Sequence, residues 1–569
     1  MIQILPDKKQ KCCGCSACSQ ICPQKCISIA EDREGFVYPE IDADRCIKCN
    51  LCEKVCPIIR KQDFYVPDKE KLPKTIGGWH KNEAVRFESS SGGAFTLFAE
   101  SILKQGGIVY GCTLDEDMHA KHISVECIED LIKLKGSKYV QSDIGNIYKD
   151  VKENIANNRK VLFVGAPCQC AGLHSFLKVS GASNISMEQY NNLYTCDFIC
   201  HGVPSPKVFR SYINFLEEKY QDKVVSFRFR NKDKGWSSIG LQMGTDIGLL
   251  NTGHKRLAPA FYDAYMNGFL DDVYLRPSCY KCEFKGLPKY YSDITIADFW
   301  GVKKAAPELN DSKGTSLILL HNEHGQELFD LEKENFFYKE VDFKSSVRKN
   351  KSLYKSAARN PRRNSFFFEY ENLSFEKVKK KYMSAFSWAS HKMMKIAWTI
   401  LENLIKFVLK PLLKLLHQDW NDAQWEGFLQ FVKFAMVGVS NSAVSYTINI
   451  SMLFLLKNAG LTYDYVIANL TAFTLSVLWS YHWNSRYVFN PDINEKYWRL
   501  RTLFKTYISY AVTGIVLNNL LSTIWIQVLG ISKFISPLLN LPFSIPTNFF
   551  MQKLWAYKER GKREAFGRK

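Results

Sequence analysis

Two runs of cysteine stand near the amino terminus: Cys12-x2-Cys15-x2-Cys18-x3-Cys22-Pro23 and, repeated, Cys46-x2-Cys49-x2-Cys52-x3-Cys56-Pro57. This is the bacterial spacing for two [4Fe-4S] clusters, in which three closely spaced thiolates wrap one cubane and the fourth cysteine of the run reaches the other. Cys12, Cys15, Cys18 and Cys56 are therefore expected to hold one cluster, and Cys46, Cys49, Cys52 and Cys22 the second, with each proline turning the chain away. Zinc also uses Cys-x2-Cys pairs, but two complete four-cysteine runs closed by proline argue against it. Cys13 and Cys26 are surplus to the ligand count.

Clusters with interleaved ligands lie close together and pass electrons on, so a further redox centre is expected downstream. Four more cysteines suggest one: Cys168 in Gly165-Ala166-Pro167-Cys168-Gln169, Cys200 in Cys200-His201-Gly202-Val203-Pro204, and the pair Cys279-x2-Cys282. Soft thiolates dispersed over loops can converge on one site. Buried free cysteine is the other reading of such a set. A second group of residues suits a flavin. Ser90, Ser91, Gly92 and Gly93 precede the helical pattern Ala94 to Leu103, where free backbone N–H groups and the helix dipole can cradle a diphosphate. An ordinary helix cap has the same signature. Lys138 offers a positive charge to the phosphates or to the reduced ring, and Arg228 and Arg230 share one face of a strand. Solvated side chains on a surface strand explain the last three equally.

The elements that would position these groups follow from periodicity. Residues 1–60 form a cysteine-rich module of short strands and turns, and 61–78 read as a polar, Pro-containing linker. Residues 79–335 mix helices with strands such as Val161-Leu162-Phe163-Val164, an α/β body. With its ordered motifs Ser89 to Phe95, Gly136-Ser137-Lys138-Tyr139-Val140-Gln141-Ser142, Gly165 to Gln169, Cys200 to Pro206, Ser278 to Cys282 and Ser292 to Gly301, the chain resembles the coenzyme F420 hydrogenase/dehydrogenase beta-subunit family over about residues 1–305. That resemblance implies an iron–sulfur flavoprotein oxidoreductase with an amino-terminal two-cluster ferredoxin domain. It further implies FAD, a third [4Fe-4S] cluster on Cys168, Cys200, Cys279 and Cys282, and a redox partner such as ferredoxin or a reduced deazaflavin coenzyme. Cys170 and Cys196 lie beside these motifs as competing ligands.

All 18 cysteines fall between Cys12 and Cys282, and the polar start of the chain is unlike a signal peptide, so a reducing cytosol is expected for this part. The formal net charge of +19 is concentrated after residue 340, flanking apolar runs, which favours a membrane surface over nucleic acid. Residues 336–426 read as a basic linker ending in an amphipathic helix, Met393 to Leu416, suited to an anionic bilayer. Four stretches free of Asp, Glu, Lys and Arg follow: Phe434 to Leu456, Tyr465 to Ser485, Thr506 to Ser532 and Phe534 to Gln552. Each is long enough to span a bilayer. Basic residues crowd the Arg486 to Lys505 connection and the 559–569 tail, so the positive-inside rule places the tail and the redox domains on the cytosolic side of a bacterial inner membrane.

This region echoes itself. Ser480 to Phe489 parallels Asn548 to Tyr557, indicating two duplicated hairpins. With Val437-Gly438-Val439-Ser440-Asn441-Ser442 and Ala468-Asn469-Leu470, residues 427–558 resemble the GtrA-like family. That resemblance implies a link to cell-surface polysaccharide synthesis and undecaprenyl-phosphate-linked sugars. Asn441, Asn449, Asn469, His482, Asn484, Asn518 and Asn519 are polar groups for such a lipid, or for interhelical hydrogen bonds. The expected architecture is thus multidomain: an α+β two-cluster module, an α/β flavin/iron–sulfur body and an all-α four-helix transmembrane bundle.

Overall fold

The computed structural model describes residues 8–59, 72–181, 185–232, 235–236, 240–245, 258–259, 263–286, 290–384, 420–456, 464–489, 498–531 and 536–557, with scattered positions between 399 and 411. The chain divides into two compact units, Met1–His391 and Lys392–Lys569.

The first unit opens with strands β1 (Ile27–Glu31) and β2 (Val37–Ile41), antiparallel with Ile27 opposite Ile41. The Asp32 carboxylate closes their turn by accepting the N–H groups of Glu34 at 3.0 Å and Phe36 at 3.1 Å. On either side of this hairpin the two cysteine runs adopt the same backbone. Ser16 (φ 59, ψ 11) and Asn50 (φ 58, ψ 13) occupy the same place in their runs and the same left-handed well. One loop earlier, Gly14 (φ 74) and Lys48 (φ 55) match in the same way. Left-handed residues curl each Cys-x2-Cys loop so that its thiols face inward.

The body is an eight-stranded sheet. Its strands are β3 (Lys74–His80), β4 (Ile108–Leu114), β5 (Ala120–Val125), β6 (Val161–Gly165) and β7 (Leu193–Phe198), then β11 (Ile294–Asp298), β12 (Ser316–Leu320) and β13 (Phe336–Glu340). A separate antiparallel sheet holds β8 (Val224–Asn231), β9 (Gly240–Thr245) and β10 (Ala258–Pro259). The large sheet runs in the order β13-β3-β12-β11-β7-β6-β4-β5, with β4, β6, β7 and β11 parallel and antiparallel strands on both flanks. Alternation sorts each central strand onto two cores: Val109 and Leu162 pack with Leu97, Phe98 and Phe329 on one face, and Ile108, Tyr110, Val161 and Phe163 pack with Tyr148 and Phe176 on the other. Burial on both faces is why these strands read as continuous apolar runs.

Two boundaries differ from the sequence reading. The 61–78 linker ends early, because β3 begins at Lys74 inside the sheet. Pro73 and the Gly77-Gly78 pair look like linker punctuation, yet a Cβ on Gly78 would lie 2.2 Å from the Phe337 carbonyl oxygen, so the glycine admits a neighbouring strand. Likewise the stretch from residue 336 is built into the first unit as far as Met383: β13 sits on the sheet edge, and the helices Arg363–Asn372 and Phe375–Tyr382 bury Phe366, Phe367 and Val378. Its lysines and arginines masked those apolar anchors.

In the second unit the described residues form helical stretches at Asp422–Leu456, Asp464–Val488, Trp498–Val528 and Ser536–Ala556. Among the described residues one helix, Gln424–Leu456, is long and apolar enough by itself to cross a membrane. The Met393 to Leu416 stretch falls largely outside the described residues, although Ile400, Leu404 and Phe407, spaced along one helical face, are exposed. The two echoing segments meet. Each becomes π-helical at the equivalent residue, Asn484 and Gln552. Asn484 donates to the Gln552 side chain at 3.3 Å, and Phe489 stacks on Tyr557 with centroids 4.4 Å apart. Asn441 is partly buried with its Oδ1 unpartnered among the described residues, His482 is exposed, and the side chains of Asn469, Asn518 and Asn519 lie outside the description.

Candidate iron–sulfur and flavin sites

Three cavities in the first unit are ringed by thiols. The first, of about 450 Å³, is lined by Cys12, Cys13, Cys15, Cys18 and Cys56, with Ile29, Val37 and Ile58 as apolar wall. The second, of about 410 Å³, is lined by Cys22, Cys26, Cys46, Cys49 and Cys52 against Ile27 and Ile41. Ligands cross over as the spacing expects: Cys22 leaves the first run for the second cavity, and Cys56 leaves the second run for the first. Cys26, unassigned by spacing, lies with its sulfur 3.4 Å from that of Cys22.

The third cavity, about 890 Å³, is built by the sheet. Strands β6 and β7 are parallel neighbours, and Cys168 and Cys200 follow directly on their carboxyl ends, where open α/β sheets place their sites. Cys279 sits in the short helix Pro277–Lys281, and Cys282 ends it. All four line this cavity, together with Cys13, which therefore borders both the first and the third. Cys170 and Cys196 do not line it. Both are buried, Cys170 in the helix Pro167–Gly181 and Cys196 in β7, their sulfurs directed at the Gly165, Cys196 and Asp197 carbonyls.

The donor set suits a cubane. Among the described residues no three thiol, imidazole or carboxylate groups converge as the ligands of a single ion would; a cubane instead offers each thiolate a different iron. Burial pushes the Cys56 thiol up to about 12 and those of Cys200, Cys279 and Cys282 to about 11. Such thiols lose their protons only against strong positive charge, which bound iron supplies.

The flavin candidates are arranged differently. Gly92 N–H donates to Ser316 Oγ at 2.9 Å, Ser91 Oγ to the Thr315 carbonyl at 2.8 Å, and Ser90 Oγ accepts the Ser137 N–H at 2.9 Å. Gly93 is the left-handed N-cap of helix Ala94–Lys104. Lys138 Nζ caps the helix Glu129–Lys133 through the Leu134 and Lys135 carbonyls at 2.8 and 2.9 Å, and burial lowers its pKa to about 8. Arg230 is held by Asp298 beneath the Trp300 ring, while Arg228 is exposed. None of these seven residues lines a thiol-ringed cavity.

Spacing did not reveal a polar chain on the third cavity. Thr295 Oγ1 bridges Asp197 Oδ1 at 2.5 Å and His321 Nε2 at 2.7 Å, and Tyr290 stacks on His321 at 3.7 Å. Burial raises the Asp197 pKa to about 7 and lowers that of His321 to about 3. The single polar residue inside the apolar Ile294-Thr295-Ile296 alternation was the available signal.

Residues 75–149 and 158–344 match the coenzyme F420 hydrogenase/dehydrogenase beta-subunit N-terminal and C-terminal families, residues 11–58 match the 4Fe-4S dicluster domain, and residues 433–557 match the GtrA/DPMS transmembrane domain. Four stretches of the chain are thus each similar to one of these families. Over 55 residues the chain is 44% identical to NADH-quinone oxidoreductase subunit I 2 of Geobacter metallireducens, covering 9% of this chain and 42% of that relative, so the chain spans about two fifths of the relative's length. A chain of the F420-reducing [NiFe] hydrogenase complex from Methanosarcina barkeri aligns over 48% of this chain and 82% of its own, with a TM-score of 0.32 and 16% identity, a likeness that by itself carries no argument. The chain joins electron-transfer domains of oxidoreductase type to a GtrA-like membrane domain.

Proposed function

We propose that this protein is a membrane-anchored iron–sulfur flavoprotein oxidoreductase that relays electrons between a soluble carrier and a hydride acceptor or donor. The observation that carries the reading is the run of three thiol-ringed cavities, the first and third of which share Cys13 as a wall. In it Cys12, Cys15, Cys18 and Cys56 hold one [4Fe-4S] cluster, Cys22, Cys46, Cys49 and Cys52 a second, and Cys168, Cys200, Cys279 and Cys282 a third. The clusters, when bound, supply one-electron storage. Exposed Cys49 makes the second cavity the port toward a ferredoxin-like partner. Beside the third cavity the residues can manage a proton. With Asp197 ionised, His321 Nε2–H donates to Thr295 Oγ1 and the threonine hydroxyl donates to Asp197; with Asp197 protonated the chain can run in reverse.

FAD, or a deazaflavin coenzyme as its exchange partner, is supported by the family matches. The Ser90–Gly93 turn, Lys138, Arg228 and Arg230 remain its proposed diphosphate neighbourhood, reached by rearrangement of the internal bonds above. The second unit would anchor the chain in the inner membrane as four spans, its ends cytosolic, and its buried Asn484–Gln552 centre would face a polyprenyl-phosphate-linked sugar of polysaccharide synthesis. Iron and sulfide analysis of anaerobically purified full chain tests the core of this reading. About twelve of each per chain are expected at four per cubane, and denaturation should release flavin. A fully metallated protein that holds and rebinds no flavin would make it a cluster-only relay.

A further inference from the structure

Arginine is charged at every accessible pH, so a buried guanidinium needs an anion nearby. Most buried arginines of the first unit have one: Arg86 pairs with Asp311, Arg230 with Asp298, Arg362 with Asp271 and Arg363 with Glu34. Arg276 is fully buried and has none among the described residues. Its Nε donates to the Cys12 carbonyl at 2.8 Å, Nη1 to the Gln141 side-chain oxygen at 2.9 Å, and Nη2 to the Val37 carbonyl at 2.9 Å. The rings of Tyr38 and Phe36 lie 4.4 and 5.6 Å away. Every one of these partners is neutral.

What does surround Arg276 is thiol. The Cys12 carbonyl takes its Nε–H, and Cys12 and Cys279 line the first and third cavities respectively, with Cys13 bordering both. Its backbone carbonyl accepts the Cys279 N–H at 2.9 Å, and its own N–H bonds the Val203 carbonyl at 2.9 Å, beside Cys200. Gly14, inside the Cys12–Cys15 loop, takes φ 74 directly beneath it; a Cβ there would stand 2.9 Å from Nη1. One side chain thus reaches from the third-cavity loop into the first-cavity loop.

We propose that Arg276 is the shared counter-cation of the first and third clusters, a positioning residue that favours their reduced forms and holds the two cluster loops in register. The inference rests on the three-cluster reading above. A cubane with four thiolate ligands is net negative, and reduction adds a further negative charge, so a fixed cation beside it raises the reduction potential. The second cluster, on Cys22, Cys46, Cys49 and Cys52, has no arginine in the lining of its cavity among the described residues and should not respond.

The test is an anaerobic EPR-monitored redox titration of the full chain, with the second cluster's signal assigned from a Cys49→Ser variant. Arg276→Met should weaken electron uptake at the first and third clusters about tenfold, a shift of about 59 mV to more negative potential for a one-electron couple, while Arg276→Lys restores most of it. Gln141→Glu keeps the arginine but sets a carboxylate against it, and should shift the same two signals in the same direction. If Arg276→Met fails to retain iron at these sites while Arg276→Lys retains it, the need for the charge is upheld; equal loss in both overturns it, as do unchanged potentials in fully metallated Arg276→Met and Gln141→Glu. An iron count near eight in the parent chain would instead sink the third cluster and leave the first-cluster half of the inference standing.

Discussion

The hairpin that carries the dicluster module onto the body offers a direct measurement of what holds the two together. Arg363 reaches from the helix Arg363–Asn372 to Glu34 in the β1–β2 turn as a fork, Nη1 to Oε1 at 3.0 Å and Nη2 to Oε2 at 2.6 Å, and it also donates twice to the Leu275 carbonyl at 3.1 Å. The arginine side chain is 3% exposed and the glutamate 16%. Removing one partner of a buried pair costs about 3–5 kcal/mol because the other charge is left uncompensated. Residual solvent at Glu34 argues for the lower end, so Arg363→Met should cost about 3 kcal/mol in local opening of the hairpin. At about 1.4 kcal/mol per tenfold, amide exchange across Ile27–Ile41 should quicken by roughly a hundredfold. Glu34→Gln should cost less, since a neutral acceptor remains, and the double variant should be less destabilised than the sum of the two. Hydrogen exchange on the metallated protein, read by mass spectrometry, resolves all three. Exchange within threefold of the parent in Arg363→Met, or strict additivity in the double variant, would refute the pair as the module's anchor and leave that role to Arg210–Glu31 and Ser205.

Other outcomes follow from the same geometry. Cys279→Ala should lower the iron count by about four per chain and leave the EPR signals of the two amino-terminal clusters in place; a count unchanged by this variant removes the third cluster. His122 is buried, bonded to the Val164 carbonyl at 3.1 Å, and burial lowers its pKa from 6.5 to about 4. The unfolded chain binds the proton first as pH falls, so this stability is complete above pH 6.5 and is lost toward pH 4, by roughly 1.4 kcal/mol at pH 5.5; His122→Phe should flatten that slope in urea unfolding, and an unaltered slope would show that other groups set it. If the second unit crosses the membrane four times as proposed, cysteines introduced at Asn490 and Gly567 should resist an impermeant thiol reagent in intact cells while those at Gly460 and Ser532 react; the opposite pattern would overturn the proposed orientation.

The amino-terminal thiols were the most legible part of the sequence. Spacing grouped Cys12, Cys15, Cys18 and Cys56 apart from Cys22, Cys46, Cys49 and Cys52, and each group lines one cavity, whereas Cys168, Cys200, Cys279 and Cys282, which line the third, were grouped by the family resemblance and not by spacing. The Ser/Gly turn was less legible. A backbone N–H that caps a helix, bonds a neighbouring strand or cradles a phosphate leaves the same residues in the sequence, and here Gly92 and Ser91 bond to Ser316 and Thr315 from β12 and its approach. Arg276 and Asp197 were illegible for a related reason: each acts through partners far away in the chain, and neither sits in a spaced motif. The boundaries failed where charge hid burial, as at Phe366 and Val378 among lysines and arginines.

The dicluster module and the second unit each carry a repeated segment, and in each the copies exchange something at their equivalent positions. Each cysteine run sends its fourth thiol to the other run's cavity, so in the proposed two-cluster arrangement neither loop would hold its cluster without the other; Gly14/Lys48 and Ser16/Asn50 share left-handed backbone in the two loops. The membrane segments exchange a hydrogen bond between Asn484 and Gln552 and a ring stack between Phe489 and Tyr557, each copy switching to π-helix at the same residue. A π-turn frees backbone groups and rotates the residues after it, at some cost in helix stability, and such turns recur at functional sites. Two of them at matched positions, flanking a buried amide pair whose Asn484 Oδ1 has no partner among the described residues, are hard to attribute to packing alone. Asn484→Leu and Gln552→Leu therefore discriminate. If the pair only joins the copies, the double apolar variant should be as stable as the parent, since both partners are replaced together; if it binds a polar group, the double variant should lose ligand-induced protection against heat while keeping the intrinsic stability of the bundle.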